Sequence, residues 1–138
     1  MRIRAAAVEG LLAEAQLRRP EEACGLFGGA PGQIDTFYPL PNVDKSPLTY
    51  QMDPASILAV LRQLERAGQS LVGIGHSHPA TVAEPSATDI RQAHYPQCLY
   101  LIVSLRAKTP EVRAFWIDQS SAREEPLTVL ADGASTAS

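Results

Sequence analysis

The sequence predicts a single-domain α/β fold in which a mixed β-sheet is flanked by helices. Three observations support this prediction. The chain has 138 residues, which is enough for one domain with a hydrophobic core of its own. Segments with apolar residues at helical spacing alternate with short apolar runs of strand length. Glycine and proline separate these segments, as is typical of compact elements joined by turns.

One helix and two strands are predicted in the first forty residues. Residues 5–18 are expected to form an amphipathic helix, which Pro20 closes. Its apolar face repeats at i, i+3, i+4 and i+7 and comprises Val8, Leu11, Leu12 and Ala15. Strands are predicted at 23–27, before a Gly-Gly pair, and at 34–40.

An irregular connection and a second helix follow. Prolines 39, 41 and 47 indicate irregular backbone, and residues 50–52 are predicted to form a brief strand. Asp53-Pro54 is typical of a helix start, with a capping side chain followed by proline at the first helical position. An apolar stripe then extends to Gly68, which is expected to end the helix.

The remaining elements are a strand, a short helix and two further strands. The strand at 71–78 contains Gly73 and Gly75, where another part of the chain can approach closely. A loop with two prolines leads to a helix predicted at 86–94. Strands are predicted at 99–104, entirely apolar and hence interior, and at 112–117.

Composition limits the classes of partner. Residues 1–130 are assigned to one domain and residues 131–138, which are small and polar, to a disordered tail. The formal net charge of −3 offers no basic patch for nucleic acid or an anionic membrane. No apolar run approaches the roughly 20 residues of a membrane span, so a cytoplasmic protein is expected. Cys24 and Cys98 lie in apolar runs and are predicted to be buried thiols.

The segment Gly75-His76-Ser77-His78-Pro79 carries the strongest chemical signal. Histidines at i and i+2 of a strand point to the same face, with Cα atoms about 6.5–7 Å apart, a workable spacing for one metal ion. Pro79 confines His78 to extended geometry. Asp89 could add an oxygen ligand from the first turn of the next helix, and three protein ligands leave one position open for water.

Each part of this pattern also has a simpler interpretation. A His-x-His pair can occur by chance and pack or face solvent without binding a metal. Ser86-x-x-Asp89 also matches a helix capping box, in which an acidic residue at the third helical position is favourable by itself. The two interpretations are compatible, because Ser86 can cap the helix while Asp89 turns inward.

The full pattern resembles the signature of the JAMM (MPN+) metallopeptidases, in their compact bacterial form. His76-x-His78-Pro79 followed by Ser86-x-x-Asp89 matches the metal motif of that family. The family also requires an upstream glutamate in a Pro-x-Glu segment before a strand rich in small residues. Pro20-Glu21-Glu22 leads into such a strand, and the alignment selects Glu22. The resemblance extends over roughly residues 3–118 and includes the segment 42–53.

This resemblance implies an MPN fold, which is a cytidine-deaminase-like sandwich, and a zinc peptidase. His76, His78 and Asp89 would hold one Zn²⁺ with a water as fourth ligand. Glu22 would be the catalytic acid and base, and the Ser86 hydroxyl would stabilise the oxyanion. The implied substrate is a ubiquitin-like or sulfur-carrier protein, cleaved at a peptide or isopeptide bond after its C-terminal Gly-Gly. The resemblance leaves room for a homodimer.

The alternative is a noncatalytic scaffold or protein-binding module on the same fold. Such modules usually lack metal ligands, whereas this chain retains all of them. A metallo-β-lactamase-like hydrolase would require Asp-His soon after the second histidine, where this chain has Pro79-Ala80-Thr81.

Overall fold

An eight-stranded mixed sheet forms the framework of residues 1–131, the part of the chain that the structure, a computed structural model, describes. The strands are β1 (Arg2–Arg4), β2 (Cys24–Ala30), β3 (Gln33–Leu40), β4 (Ser70–His78), β5 (Leu99–Ser104), β6 (Glu111–Ile117), β7 (Ala122–Glu125) and β8 (Thr128–Leu130). The helices are α1 (Ala5–Arg18), α2 (Pro54–Arg66) and α3 (Ala87–Arg91). The strand order across the sheet is β7-β6-β5-β4-β2-β3-β1-β8. The predicted α/β fold class is confirmed.

Helices cover both faces of this sheet. On one face, α1 packs Ala7, Leu11 and Ala15 into a core cluster with Phe27 of β2. On the other face, α2 contributes Val60 and Leu64 to a second cluster, and Ile90 of α3 packs against it. The apolar stripe predicted for α1 faces the sheet. The stripe predicted for α2 from Ile57, Leu58, Leu61 and Leu64 is only partly correct, because Leu58 and Leu61 are exposed and Val60 takes part in the core instead. Both cysteines are free and buried, as expected.

Glycines in β4 leave room for side chains of α1 and β2 and for the backbone of β5. A Cβ added at Gly75 would lie 2.7 Å from Cε2 of Phe27 and 3.2 Å from Cδ1 of Leu11. A Cβ at Gly73 would lie 3.0 Å from the backbone oxygen of Leu99. The prediction of close approach at both glycines is confirmed, because an added Cβ would crowd its neighbours at Gly73 and would force a shift at Gly75.

The register of three strands positions the carboxyl end of β4. This strand pairs antiparallel with β2 and parallel with β5, so it lies in the interior of the sheet. Cys24 is the partner of His76 in the antiparallel pair. Because the pair is antiparallel, Glu22, two residues before Cys24, and His78, two residues after His76, lie at the same edge of the sheet.

Several predicted element boundaries differ from those observed. Residues 50–52 form no strand, because the loop satisfies its backbone groups internally, for example through the bond from Val43 N to Gln51 O. The third helix ends at Arg91 rather than near residue 94, since the chain turns to bury Ala93 in the core before Pro96. The predicted disordered tail, from residue 132 onward, lies outside the residues that the structure describes.

Three short strands were not predicted from the sequence. β1, β7 and β8 are only three or four residues long. β7 has the sequence Ala-Arg-Glu-Glu, because it lies at an exposed sheet edge where charged side chains discourage further pairing. Among residues 1–131, no helix has both the length and the apolar character needed to cross a lipid bilayer.

Candidate metal centre and active site

His76 and His78 direct their side chains to the same point from the end of β4. Their Nε2 atoms are 3.2 Å apart. Asp89, in the first turn of α3, places Oδ2 at 3.1 Å from the Nε2 of His76 and 3.0 Å from that of His78. All three side chains are at least nine-tenths buried. The structure thus brings together the three residues that the motif predicted as ligands.

The separations of these three atoms suit a tetrahedral metal ion. Metal–donor bonds of about 2.0–2.1 Å give a tetrahedron with edges of about 3.3 Å. The observed triangle has edges of 3.0–3.2 Å. Two imidazole nitrogens and one carboxylate oxygen are donors that zinc accepts, and such a triangle leaves a fourth position open. The residues present therefore fit a single divalent ion of this type.

Neighbouring backbone groups orient two of the three side chains. His78 Nδ1 lies 2.8 Å from Val82 O, and because a carbonyl only accepts, Nδ1 must carry the proton and Nε2 is left as the donor atom for a metal. Ser86 N donates to Asp89 Oδ2 at 3.0 Å, and Asp89 N donates to Ser86 Oγ at 3.0 Å. Asp89 therefore closes the capping box and also faces the histidines, as the sequence allowed.

The third side chain, His76, is held in a different way. Its Nδ1 is buried and has no hydrogen-bond partner among the described residues. The ring of Tyr50 stacks on the imidazole, with ring centroids 4.5 Å apart and an angle of 23° between the planes. Aromatic stacking thus replaces the hydrogen bond that usually orients a metal-binding histidine.

Burial and mutual hydrogen bonding shift the pKa values of these groups in the metal-free protein. Burial lowers the pKa of His76 below 6.5. Burial would also lower the pKa of His78, but hydrogen bonds to Asp89 and Val82 O outweigh it and raise that pKa. Burial would raise the pKa of Asp89, whereas hydrogen bonds from both histidines hold it well below its usual range. Asp89 is therefore a carboxylate at neutral pH, which a cation requires.

Glu22 is a buried carboxyl group beside this triangle. It is only 2% exposed, and its Oε1 has no partner among the described residues. Burial raises the pKa of Glu22 to about 8, although the nearby His78 lowers it. The charge of Asp89 raises the pKa of Glu22 further. A cation at the triangle would lower this pKa by direct attraction.

Ser86 lies at the mouth of the site. The residue is exposed, and its Oγ accepts the capping bond from Asp89 N. No acceptor for its own hydroxyl proton is found within residues 1–131. The hydroxyl group therefore remains able to donate a hydrogen bond.

The motifs recognised in the sequence do not include the loop residues that complete the site. Asn42 is buried and hydrogen-bonds the backbone of Glu22, and Tyr50 covers His76. The signal that could have indicated Asn42 is an asparagine in a proline-rich loop, a residue type that often bonds nearby backbone. A cavity of about 330 Å³ adjoins Asp89 and Tyr50 and is lined partly by Ile57 and Ile74.

An α/β domain with two histidines and an aspartate at one point, and a buried glutamate beside them, has the composition of a single-metal hydrolase. The chain belongs to the prokaryotic homologs of the JAB domain, whose family model matches residues 4–118. The resemblance predicted from the His76-x-His78 motif is thereby confirmed.

Named relatives of this chain are peptidases. It is 37% identical over 131 residues to the CysO-cysteine peptidase of Mycobacterium tuberculosis, covering 93% of this chain and 90% of that protein. It is 43% identical over 126 residues to the probable TtuB-protein conjugate cleaving protease of Thermus thermophilus, covering 88% and 80%. The enzyme class expected from the sequence, a peptidase, agrees with both names.

Solved structures share the fold. A protein of Desulfitobacterium hafniense superposes with a TM-score of 0.87 at 37% identity, covering 96% of this chain and 94% of that chain. A JAB1/MPN domain protein of Archaeoglobus fulgidus superposes with a TM-score of 0.64 at 20% identity, covering 94% and 99%. The second similarity concerns the fold alone and confirms the MPN architecture.

Proposed function

We propose that this chain is a zinc-dependent peptidase that cleaves the bond after the C-terminal Gly-Gly of a ubiquitin-like or sulfur-carrier protein. The observation that carries the proposal is the juxtaposition of three converging ligand atoms with the buried, unpartnered carboxyl of Glu22. A buried carboxyl with a raised pKa, next to a candidate metal site, is typical of a group that exchanges protons during catalysis.

The ligands in this proposal are His76, His78 and Asp89. A bound zinc ion would supply Lewis-acid chemistry and bring the pKa of water towards about 7. Because the ligands must lose their protons to bind zinc, the raised pKa of His78 makes zinc affinity fall as the pH decreases.

Glu22 and Ser86 act on the substrate. The Glu22 carboxylate takes a proton from the attacking water and returns it to the nitrogen of the departing amine. Its burial excludes bulk water from that transfer. The exposed Ser86 hydroxyl donates to the oxygen that gains negative charge when water attacks the carbonyl.

The choice of substrate follows from the relatives and from the loops around the site. The relatives are named for cleaving CysO-cysteine and TtuB-protein conjugates. Only residues 79–85 separate the second histidine from Ser86, so the chain has no long insertion between them. A Gly-Gly tail has no side chains and can lie close to the backbone of such a site. The proposal places the reaction in the cytoplasm, without nucleic acid or a membrane.

The test uses a sulfur-carrier protein extended by one or more residues beyond its Gly-Gly. Incubation with the zinc-loaded chain should release the extension, and mass spectrometry of the carrier measures it. Replacing the last glycine by valine should sharply slow the release, because a side chain would crowd the site. Equal rates for glycine and valine, or faster cleavage of unstructured peptides, would favour a general peptidase.

A zinc assay separates this proposal from a noncatalytic scaffold. Purified scaffold protein should contain no stoichiometric zinc and should cleave none of these substrates. The intact ligand triangle within the described residues argues against that alternative. Gel filtration tests whether the chain forms a homodimer, for which the resemblance leaves room.

A further inference from the structure

Asn42 is a buried asparagine at the start of the loop formed by residues 41–53, and its amide makes four hydrogen bonds. Its Nδ2 donates to Glu22 O at 3.1 Å and to Thr49 O at 2.9 Å. Its Oδ1 accepts from Asp44 N at 3.0 Å and from Gln51 N at 3.1 Å. The side chain is only 9% exposed, so water does not replace these bonds.

The four partners use the full hydrogen-bonding capacity of the amide. A primary amide has two N–H donors and an oxygen with two lone pairs. Two carbonyls require the NH₂ group and two backbone N–H groups require the oxygen, so the amide can have only one orientation. Aspartate could accept the same two bonds but could donate neither of the others.

Both backbone groups of Glu22 are thereby bound to this loop. Glu22 N donates to Ser46 O at 2.8 Å, and Glu22 O accepts from Asn42. Glu22 lies two residues before the first residue of β2, so its backbone N–H and C=O take no part in the hydrogen-bond ladder of that strand. The backbone of Glu22 itself is therefore held by the loop, whereas its neighbour Ala23 is bound to Ser77 of β4.

The same amide also fixes the residues on either side of Tyr50. Thr49 O and Gln51 N are both bound to Asn42. Tyr50 lies between them and stacks on His76, whose Nδ1 has no partner among the described residues. The second ring nitrogen of a metal-binding histidine normally donates its N–H to a neighbouring group. Loss of such a partner typically reduces metal affinity.

We propose that Asn42 is a positioning residue for the whole centre, holding Glu22 directly and His76 through Tyr50. This inference rests on the proposed function, which assigns Glu22 as acid and base and His76 as ligand. One side chain outside the motif thus couples the proton-transfer group to the metal site. No contact of Asn42 with substrate is required for this role.

The direct test is Asn42→Asp, which keeps the size and both accepted bonds but removes both donated bonds. We expect kcat to fall about 10- to 100-fold, the usual effect of losing an outer contact of a metal site, with little change in KM. Zinc release into a chromophoric chelator should become about 10-fold faster. Amide exchange at Glu22, whose N–H donates to Ser46 O, should also accelerate in the zinc-free protein, because the Glu22 carbonyl is no longer bound to the loop.

Matched variants separate the two branches of the network. Tyr50→Ala should speed zinc release as much as Asn42→Asp does, with a smaller fall in kcat, whereas Tyr50→Phe retains the stacking ring and normal release. Thr49→Val is the control, because it removes one exposed loop bond, from Thr49 Oγ1 to Asp44 Oδ2, and keeps the carbonyl. It should retain wild-type kcat and zinc release.

Each outcome decides between the inference and the alternatives. Wild-type kcat and zinc release in Asn42→Asp would overturn the positioning role while leaving the proposed function intact. Equal losses in Thr49→Val would indicate only general loosening of the loop and would also overturn it. If Asn42→Asp does not fold, unchanged zinc release in Tyr50→Ala overturns the coupling. A wild-type chain that binds no zinc overturns the proposed function itself.

Discussion

Replacing Glu22 by glutamine should abolish most hydrolysis and, in the zinc-free protein, increase stability above pH 5. Glutamine has the same shape as glutamate but cannot carry a proton between water and the leaving amine. Loss of a general base typically lowers the rate about 10²- to 10⁴-fold. Zinc content should not change, because Glu22 is not among the three converging ligands.

The stability effect follows from the raised pKa of Glu22. In the unfolded chain the group titrates near 4.5, whereas burial raises the pKa of Glu22 in the folded protein to about 8. Between these values the folded state binds the additional proton, so unfolding becomes easier as the pH rises through this window. Below pH 4.5 both states are protonated and the difference vanishes. At pH 7, about 2.5 units above the unfolded pKa, the ionisation costs about 3 kcal/mol.

Urea unfolding of zinc-free wild type and Glu22→Gln at pH 5, 6, 7 and 8 measures this effect. The difference in unfolding free energy should grow with pH in favour of the variant and reach about 3 kcal/mol near neutrality. A difference that stays constant across the series would refute the burial argument. Loss of zinc in the variant would indicate that Glu22 is a metal ligand. Wild-type turnover in the variant would contradict its role as a base.

Three further predictions concern the ligands, the oxyanion and the core. Alanine at any one of the three candidate ligands should strip zinc from the purified protein, and full zinc content in all three variants would contradict the assignment. Ser86→Ala should lower kcat about 10²- to 10³-fold with zinc retained, and Ser86→Thr, which keeps the hydroxyl, should lose much less. Gly75→Ala should destabilise the fold by about 1–3 kcal/mol in thermal unfolding, because its methyl would lie 2.7 Å from the ring of Phe27; an unchanged Tm would refute this packing argument.

The motif residues were predictable because short-range rules determine their geometry. The two-residue period of a strand puts His76 and His78 on one face, and a capping box turns Asp89 inward in the first helical turn. The start of α2 was predictable for the same reason, since the Asp53 side chain accepts from Ser56 N as a local cap.

The surroundings of the motif were not predictable from local patterns. The contacts of Asn42 with Glu22 and of Tyr50 with His76 join residues more than 15 positions apart, and no periodicity encodes them. The edge strands could not be predicted from the sequence because they are short and exposed and have no apolar alternation. The loop at 41–53 has no helical or strand period in its sequence, because Asn42, the Ser46 hydroxyl and a few bonds within the loop, rather than a repeating ladder, satisfy its backbone.

The capping box of α3 gives one carboxylate two tasks. Oδ2 of Asp89 accepts from Ser86 N and is also the atom that faces both histidines. A five-residue helix has almost no stability of its own, so the cap and its packing are what make it helical. The Asp89 carboxylate therefore already has its orientation before an ion binds. Its side chain has little rotational freedom left to lose on binding. Changing the metal preference of this centre through Asp89 would therefore require rebuilding the start of the helix at the same time.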